Sequence, residues 1–321
     1  MQMKIPLGGR IRPGSKRLAN KAKENPEVRR VYNECRQAKK SFAEISVEIR
    51  RQVPTFTDEP MVPCNPPYFR VERADFPNPK TAVHIMKQYG EPDRNGEKLF
   101  DGGPVEHRLY RFPVMFFAEK EQVMASELQC WSASDLQYWS EIGQDSIRRC
   151  MQYAPPCKPD GAHRVVRLYG GRATIPRTDT NGVCQPEMCA EYQSRKCSER
   201  WRFLFYMPDI DGLRVMSLDS DGFYGMDDAM SVLTQVQMVR DTITGLKEDG
   251  SPIFWFSKKQ KRVKMLNPTT GVPEHKNQWV ITLDADLDVT RLFRERAQTL
   301  PRAAQAAALL SGSTVPAETD E

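Results

Sequence analysis

The sequence predicts an α+β protein, with a helical, basic N-terminal region, a mixed or antiparallel sheet core and a cysteine-rich loop projecting from that core. Three observations carry the expectation. Helix-start signals cluster before residue 90, aromatic and alternating runs of strand type dominate from residue 108 onward, and three of the eight cysteines fall within fourteen residues of a polar segment.

The elements follow in order. Residues 1–24 read as a basic flexible arm: seven basic side chains and no acid precede Glu24, and Gly8, Gly9, Pro13 and Gly14 oppose regular structure. Residues 25–90 read as a helical region interrupted by a linker. Asn25-Pro26 is an N-cap followed by proline at the first helical position, opening a helix to about Ala38. Ser41 and Glu44 form a capping box that starts a second helix. Pro54, Pro60, Pro63, Pro66 and Pro67 then predict an extended linker, before Asn78-Pro79 opens a third helix that Gly90 ends.

Residues 91–297 read as the α+β core, with a cysteine loop over 180–201. Strands are expected at 109–117, 164–174, 202–207, 213–218, 253–257 and 279–283. The alternation over 213–218 does not fix which face is buried. Phe223, Met226, Met230, Leu233, Val236 and Val239 recur at helical spacing, and their methionines read as core packing. Residues 298–321 read as a disordered tail after a frayed helix.

Length, charge and cysteine usage narrow the function. A chain of 321 residues with 39% hydrophobic and 28% charged side chains has room for one large domain or two ordinary ones. The net charge of +5 is unevenly placed: the first fifty residues carry +8, the last 21 carry −2, and residues 51–300 are near neutral at −1. No apolar run has the length of a secretory signal or a membrane span, so the protein is expected to be cytoplasmic. In that compartment its cysteines are reduced thiols or metal ligands rather than a disulfide framework.

Cys184, Cys189 and Cys197 are spaced C-x4-C-x7-C in a loop between two expected strands. Thiolates on tight turns suit a tetrahedral structural Zn2+, which would make this a zinc-stapled loop. Cys150 is the choice for the fourth ligand, with Cys157, Cys130 and His163 as alternatives. The four histidines are scattered and lack an HExxH pattern, which favours a closed structural site over a catalytic one. Asp284, Asp286 and Asp288 alternate near a strand end and read either as a Mg2+ face or as a solvated acidic edge.

Candidate nucleic-acid contacts are Lys258, Lys259, Lys261, Arg262 and Lys264, which directly follow Phe254-Trp255-Phe256, and Arg195 and Lys196 beside the cysteines. Such cations release counterions from phosphates, and aromatic neighbours can stack on bases. The preferred reading of the aromatic residues is core beside a solvated hairpin. The near-neutral body fits binding to a protein that already holds DNA as well as it fits direct binding. P-loop and dinucleotide-binding spacings are absent.

The segments KIPLGGRIRPG, PPYFRVERADFPNP, LYRFPVMFF, ELQCWSASDLQYWSE, RRCMQYAPP, YGGR, FYGM and above all CQPEMCAEYQSRKCSERWRFLFYMPDIDG resemble the recombination-directionality-factor-like proteins of phages and mobile elements. The likeness runs from residue 1 to about Leu292, and Cys184, Cys189 and Cys197 match the family's cysteine pattern. The resemblance implies a non-catalytic accessory protein that binds a large serine recombinase on its attachment-site DNA and switches it from integration to excision. Relatives are often labelled hydrolase or metal-binding protein. The alternatives are a metal-dependent hydrolase, whose activity would depend on Asp284 or Asp286, and a zinc-containing replication or transcription accessory factor, which would bind defined DNA without a recombinase.

Overall fold

A computed structural model describes residues 7–117, 123–132, 135–143, 145, 147–155, 173–210, 212, 214–220, 222–247, 249–266, 271–288, 290 and 294. The helix-start signals act where the sequence puts them. Asn25 Oδ1 accepts from the backbone amides of Glu27 and Val28 at the start of α2 (Pro26–Gln37). Ser41 and Glu44 close a capping box on α3 (Phe42–Gln52), and Asn78 caps α4 (Pro79–Tyr89). With α1 (Asn20–Glu24) and the paired strands β2 (Ser15–Leu18) and β3 (Met61–Cys64), helices α2 and α3 enclose a small core of Val28, Val31, Phe42, Ile45, Ile49 and Met61.

Residues 7–24 are therefore not an arm without regular structure. Besides β2 and α1 they form β1 (Leu7–Ile11), which adds in parallel to one edge of a seven-stranded sheet. The glycines that suggested disorder are what the packing needs: a side chain on Gly8 would collide with Arg214, and one on Gly9 with Phe76. Part of the expected proline-rich linker likewise becomes β3, with Pro63 opposite Lys16 on a two-stranded ribbon that tolerates its missing donor.

The large sheet continues from β1 through β12 (Val215–Ser220), β11 (Cys197–Phe205), β7 (Met124–Trp131), β8 (Leu136–Ile142) and β9 (Arg148–Tyr153) to β10 (Thr174–Pro176). Every pairing after the first is antiparallel, so the sheet is mixed and the α+β class holds. Strand β12 is buried on both faces, which is why its alternation gave no direction.

A second sheet pairs β14 (Pro273–Ala285), β13 (Phe254–Leu266) and β6 (Arg111–Val114). Phe112, Phe203, Phe205, Phe254 and Phe256 form the shared core of the two sheets, with Leu233 and Val236 of helix α6 (Phe223–Arg240). Met226 is buried and Met230 packs at the edge of that core, as the helical spacing implied. Two further pieces complete the set: a two-stranded ribbon of β4 (Glu91–Pro92) and β5 (His107–Arg108), and a short helix α5 (Ala190–Gln193). The strand expected over 164–174 falls mostly outside the described residues, as does the tail 298–321.

Candidate functional site: a five-thiol cavity under the cysteine loop

Strand register places three cysteines on one face of the large sheet. Cys197 pairs with Cys130, Cys130 with Tyr138, and Ser140, two residues along β8, with Cys150. Alternation puts all five on the same side. The chain between β10 and β11 folds over this face. It is fastened at Cys150, whose amide donates to the Gly182 carbonyl at 2.9 Å while its carbonyl accepts from the Arg177 amide at 2.9 Å. Asn181 and Gly182 turn the chain with φ of 50° and 75°, and Cys184 follows two residues after Gly182. A 3-10 turn over Pro186–Met188 then delivers Cys189 to the start of α5. The result is a cavity of about 440 Å3 lined by Cys130, Cys150, Cys184, Cys189 and Cys197.

Arg177 organises the loop from inside. It is 5% exposed, and its guanidinium donates to both carboxylate oxygens of Asp179 and to both of Glu191, at 2.7–3.1 Å. It also stacks over the Tyr138 ring at 3.9 Å. Hydrogen bonds from Arg177 and from the Cys189 thiol hold the Glu191 carboxyl down at about 2. A lone arginine in a polar loop has no local signature, so sequence reasoning missed it; the nearby Asp179 was its only hint.

None of the five cysteines is in a disulfide. Burial, reinforced by Cys184, pushes Cys150 up to about 11, and burial with the sulfurs of Cys130, Cys189, Cys184 and Cys150 pushes Cys197 up to about 12. Cys184 and Cys130 are raised for the same first reason. Cys197 thus feels all four other sulfurs. Among the described residues no three His, Cys, Asp or Glu side chains are arranged as a metal-binding group, so the thiols share a cavity without forming a coordination shell. Cys157 and His163 lie outside the described residues.

The aspartates considered for Mg2+ are engaged elsewhere: Asp284 accepts from Lys259 and Ser257, and Asp286 from Lys247. The basic run after Trp255 divides. Lys258 is buried rather than available to a phosphate, because β13 turns it toward the core, where its ammonium meets the Pro13 carbonyl at 2.8 Å, Asn65 Oδ1 at 2.5 Å and the Pro66 carbonyl at 2.5 Å. Lys259 and Lys261 pair with Asp284 and Asp228, whereas Arg262 and Lys264 are exposed. Phe254 and Phe256 are core, and Trp255 carries Arg111 over its ring at 4.1 Å. Arg195 and Lys196 are exposed just after α5.

The sequence profile of the Gp3-like, recombination directionality factor-like family matches residues 8–288, which spans every strand above except the first residue of β1. The chain belongs to this family. The membership assigns it a role in recombination, and the matched span includes the whole five-thiol cavity. No curated protein and no solved structure matches the chain. Among the described residues no helix is long and apolar enough to cross a membrane.

Proposed function

We propose that this family member is a non-catalytic accessory protein of mobile-element or phage recombination, acting by contact with a large serine recombinase and its DNA, in the cytoplasm. Family membership supports the recombination role. The observation that carries the proposed mode of action is the convergence of five thiols where a long loop is laid on the sheet. A surface loop with little apolar core holds one shape only if something closes it. The donor set fits Zn2+, with Cys184, Cys189, Cys197 and Cys150 as ligands. A bound zinc would supply a cross-link between loop and sheet through deprotonated thiolates. Arg177 meanwhile ties Asp179 and Glu191 together within the loop, and the stiffened loop presents Arg195 and Lys196 at the surface.

Two measurements test this. Elemental analysis of the purified protein is expected to give one zinc per chain, lost in a Cys184→Ser/Cys189→Ser double variant; a zinc-free wild type would reject the staple. Co-purification from the native host after nuclease treatment is expected to bring down a large serine recombinase, and an excision assay is expected to require the protein. Excision that proceeds equally without it would reject the directional role.

A further inference from the structure

The β13–β14 hairpin outruns the sheet it belongs to. Strand β6 pairs with β13 only from Phe254 to Ser257, and beyond Ser257 the ribbon is β13 and β14 alone. Its core-facing side consists first of Phe254, Phe256 and Lys258 with Leu283 and Ile281, all buried. By strand alternation that same side continues outward as Gln260, Arg262 and Lys264, opposite Trp279, Asn277 and His275. Arg262 stands directly across from Asn277 and Lys264 from His275. These four are exposed, and their side chains make no hydrogen bond or ion pair among the described residues.

The opposite side of the ribbon is already committed. Val263 is 3% exposed, Lys261 pairs with Asp228 of α6, and the Gln278 amide donates to the Met265 sulfur. Glu274 lies on that side, opposite Met265, so the outward side carries cations, amides and imidazole but no acid. A ribbon face kept only for solubility mixes both signs.

We propose that this face enters the major groove of duplex DNA, with Arg262 and Asn277 reading base edges and Lys264 contacting phosphate. The inference rests on the DNA-contact part of the function proposed above. A two-stranded ribbon fits a groove roughly 12 Å wide. Seven residues from Gln260 to Leu266 give about 20 Å of reach at roughly 3.3 Å per residue. Arginine and asparagine are the side chains that pair bidentately with guanine and adenine. Their direct cross-strand pairing puts the two readers about 5 Å apart, one to two base steps.

The test uses the full chain with a fluorescent random-sequence 30-base-pair duplex and, separately, selection from a random duplex library. Lys264→Ala is expected to weaken binding several-fold and to reduce the slope of log affinity against log salt by about 1. Arg262→Ala and Asn277→Ala are expected to flatten the motif enriched by the wild type, while Lys276→Ala, on the opposite side, leaves the motif intact. No duplex binding by the wild type, tighter binding to single strands than to duplex, or an unchanged motif in Arg262→Ala/Asn277→Ala would overturn the proposal. Recombinase co-purification after nuclease treatment is expected to persist in Arg262→Ala/Lys264→Ala/Asn277→Ala, so a failed hairpin and a failed recombinase reading give different results.

Discussion

The Lys258 ammonium donates to the carbonyl oxygen of Pro13 at 2.8 Å, across 245 positions of sequence. Asn65 Oδ1 and the Pro66 carbonyl take its other two N–H groups, while the Asn65 amide donates to the Trp279 carbonyl at 2.8 Å. One side chain thereby ties the β13–β14 hairpin to the segments that flank the N-terminal core, at the point where the hairpin leaves the body. Three oxygens satisfy the three protons, yet burial still pulls the ammonium down to about 7.

That shift has a defined sign. Below about pH 7 the folded and unfolded chains both carry the charge, and the folded state bears its full desolvation cost. Between about 7 and the ordinary lysine value of ~10.4 the unfolded chain binds more protons, so this group makes stability rise with pH. Lys258→Met is expected to remove that contribution, visible as the difference between wild-type and variant urea midpoints measured from pH 6 to 10. It also strands three oxygens, at a cost of about 1–3 kcal/mol at the upper end of the range. Parallel midpoint curves would contradict the assignment.

Strand β1 makes a second expectation. Gly9 has no room for a side chain because the buried Phe76 ring occupies the space a Cβ would take, whereas at Gly14 the nearest atom to an added Cβ is the Cys64 carbonyl oxygen at 3.7 Å. Gly9→Ala should lose about 1–3 kcal/mol by forcing the ring or strand to move. Gly14→Ala should be near neutral. Chemical denaturation of the two variants side by side checks the contrast, and equal effects would mean that β1 is not held at this distance from Phe76.

How much of this was legible depends on whether the cause is local. Asn25, Ser41 and Asn78 announce their helices because a cap oxygen and the amides that donate to it lie within three residues. The Gly8-Gly9 pair was misleading because its reason, Phe76 and Arg214, comes from distant sequence. Strands β7, β8 and β9 went unnoticed because the side away from the cysteines carries Glu127, Gln129, Glu141 and Arg149 in place of a clean apolar alternation. The cysteine spacing identified Cys184, Cys189 and Cys197 as a group. Only strand register could bring Cys130 to them, since its neighbour across the sheet is Cys197. In the basic run, position along β13 rather than charge decided that Lys258 points inward.

Arg177 carries the third expectation. Its two carboxylate partners reach solvent, Asp179 at 57% and Glu191 at 26% side-chain exposure, so they rehydrate in part when the arginine is removed. Arg177→Ala should therefore cost about 1–3 kcal/mol, less than breaking a fully buried pair. Arg177→Lys should recover less than half, because an ammonium cannot fork to two carboxylates and stack on Tyr138 at once. Urea midpoints of the two variants measure this; full recovery by lysine would show that charge alone holds the loop.

The last expectation separates the two sheet cysteines. Cys150 is bonded through its own amide and carbonyl to the loop, at Gly182 and Arg177, and Cys184 follows Gly182 by two residues. Cys130 instead pairs with Cys197 and is 1% exposed, two strands away from that fastening. Under the zinc staple proposed above, the loop would therefore close on Cys150 with less backbone movement. Cys150→Ser should lower zinc content and affinity by at least tenfold, while Cys130→Ser should retain one zinc per chain. Chelation should reduce the wild-type Tm, because a ligand that binds only the folded chain stabilises it in proportion to the logarithm of its free concentration over Kd. The same chelation should leave the Tm of Cys150→Ser nearly unchanged. If Cys130→Ser loses the metal instead, Cys130 is the fourth ligand and the loop is fastened to β7 and β11 rather than to β9.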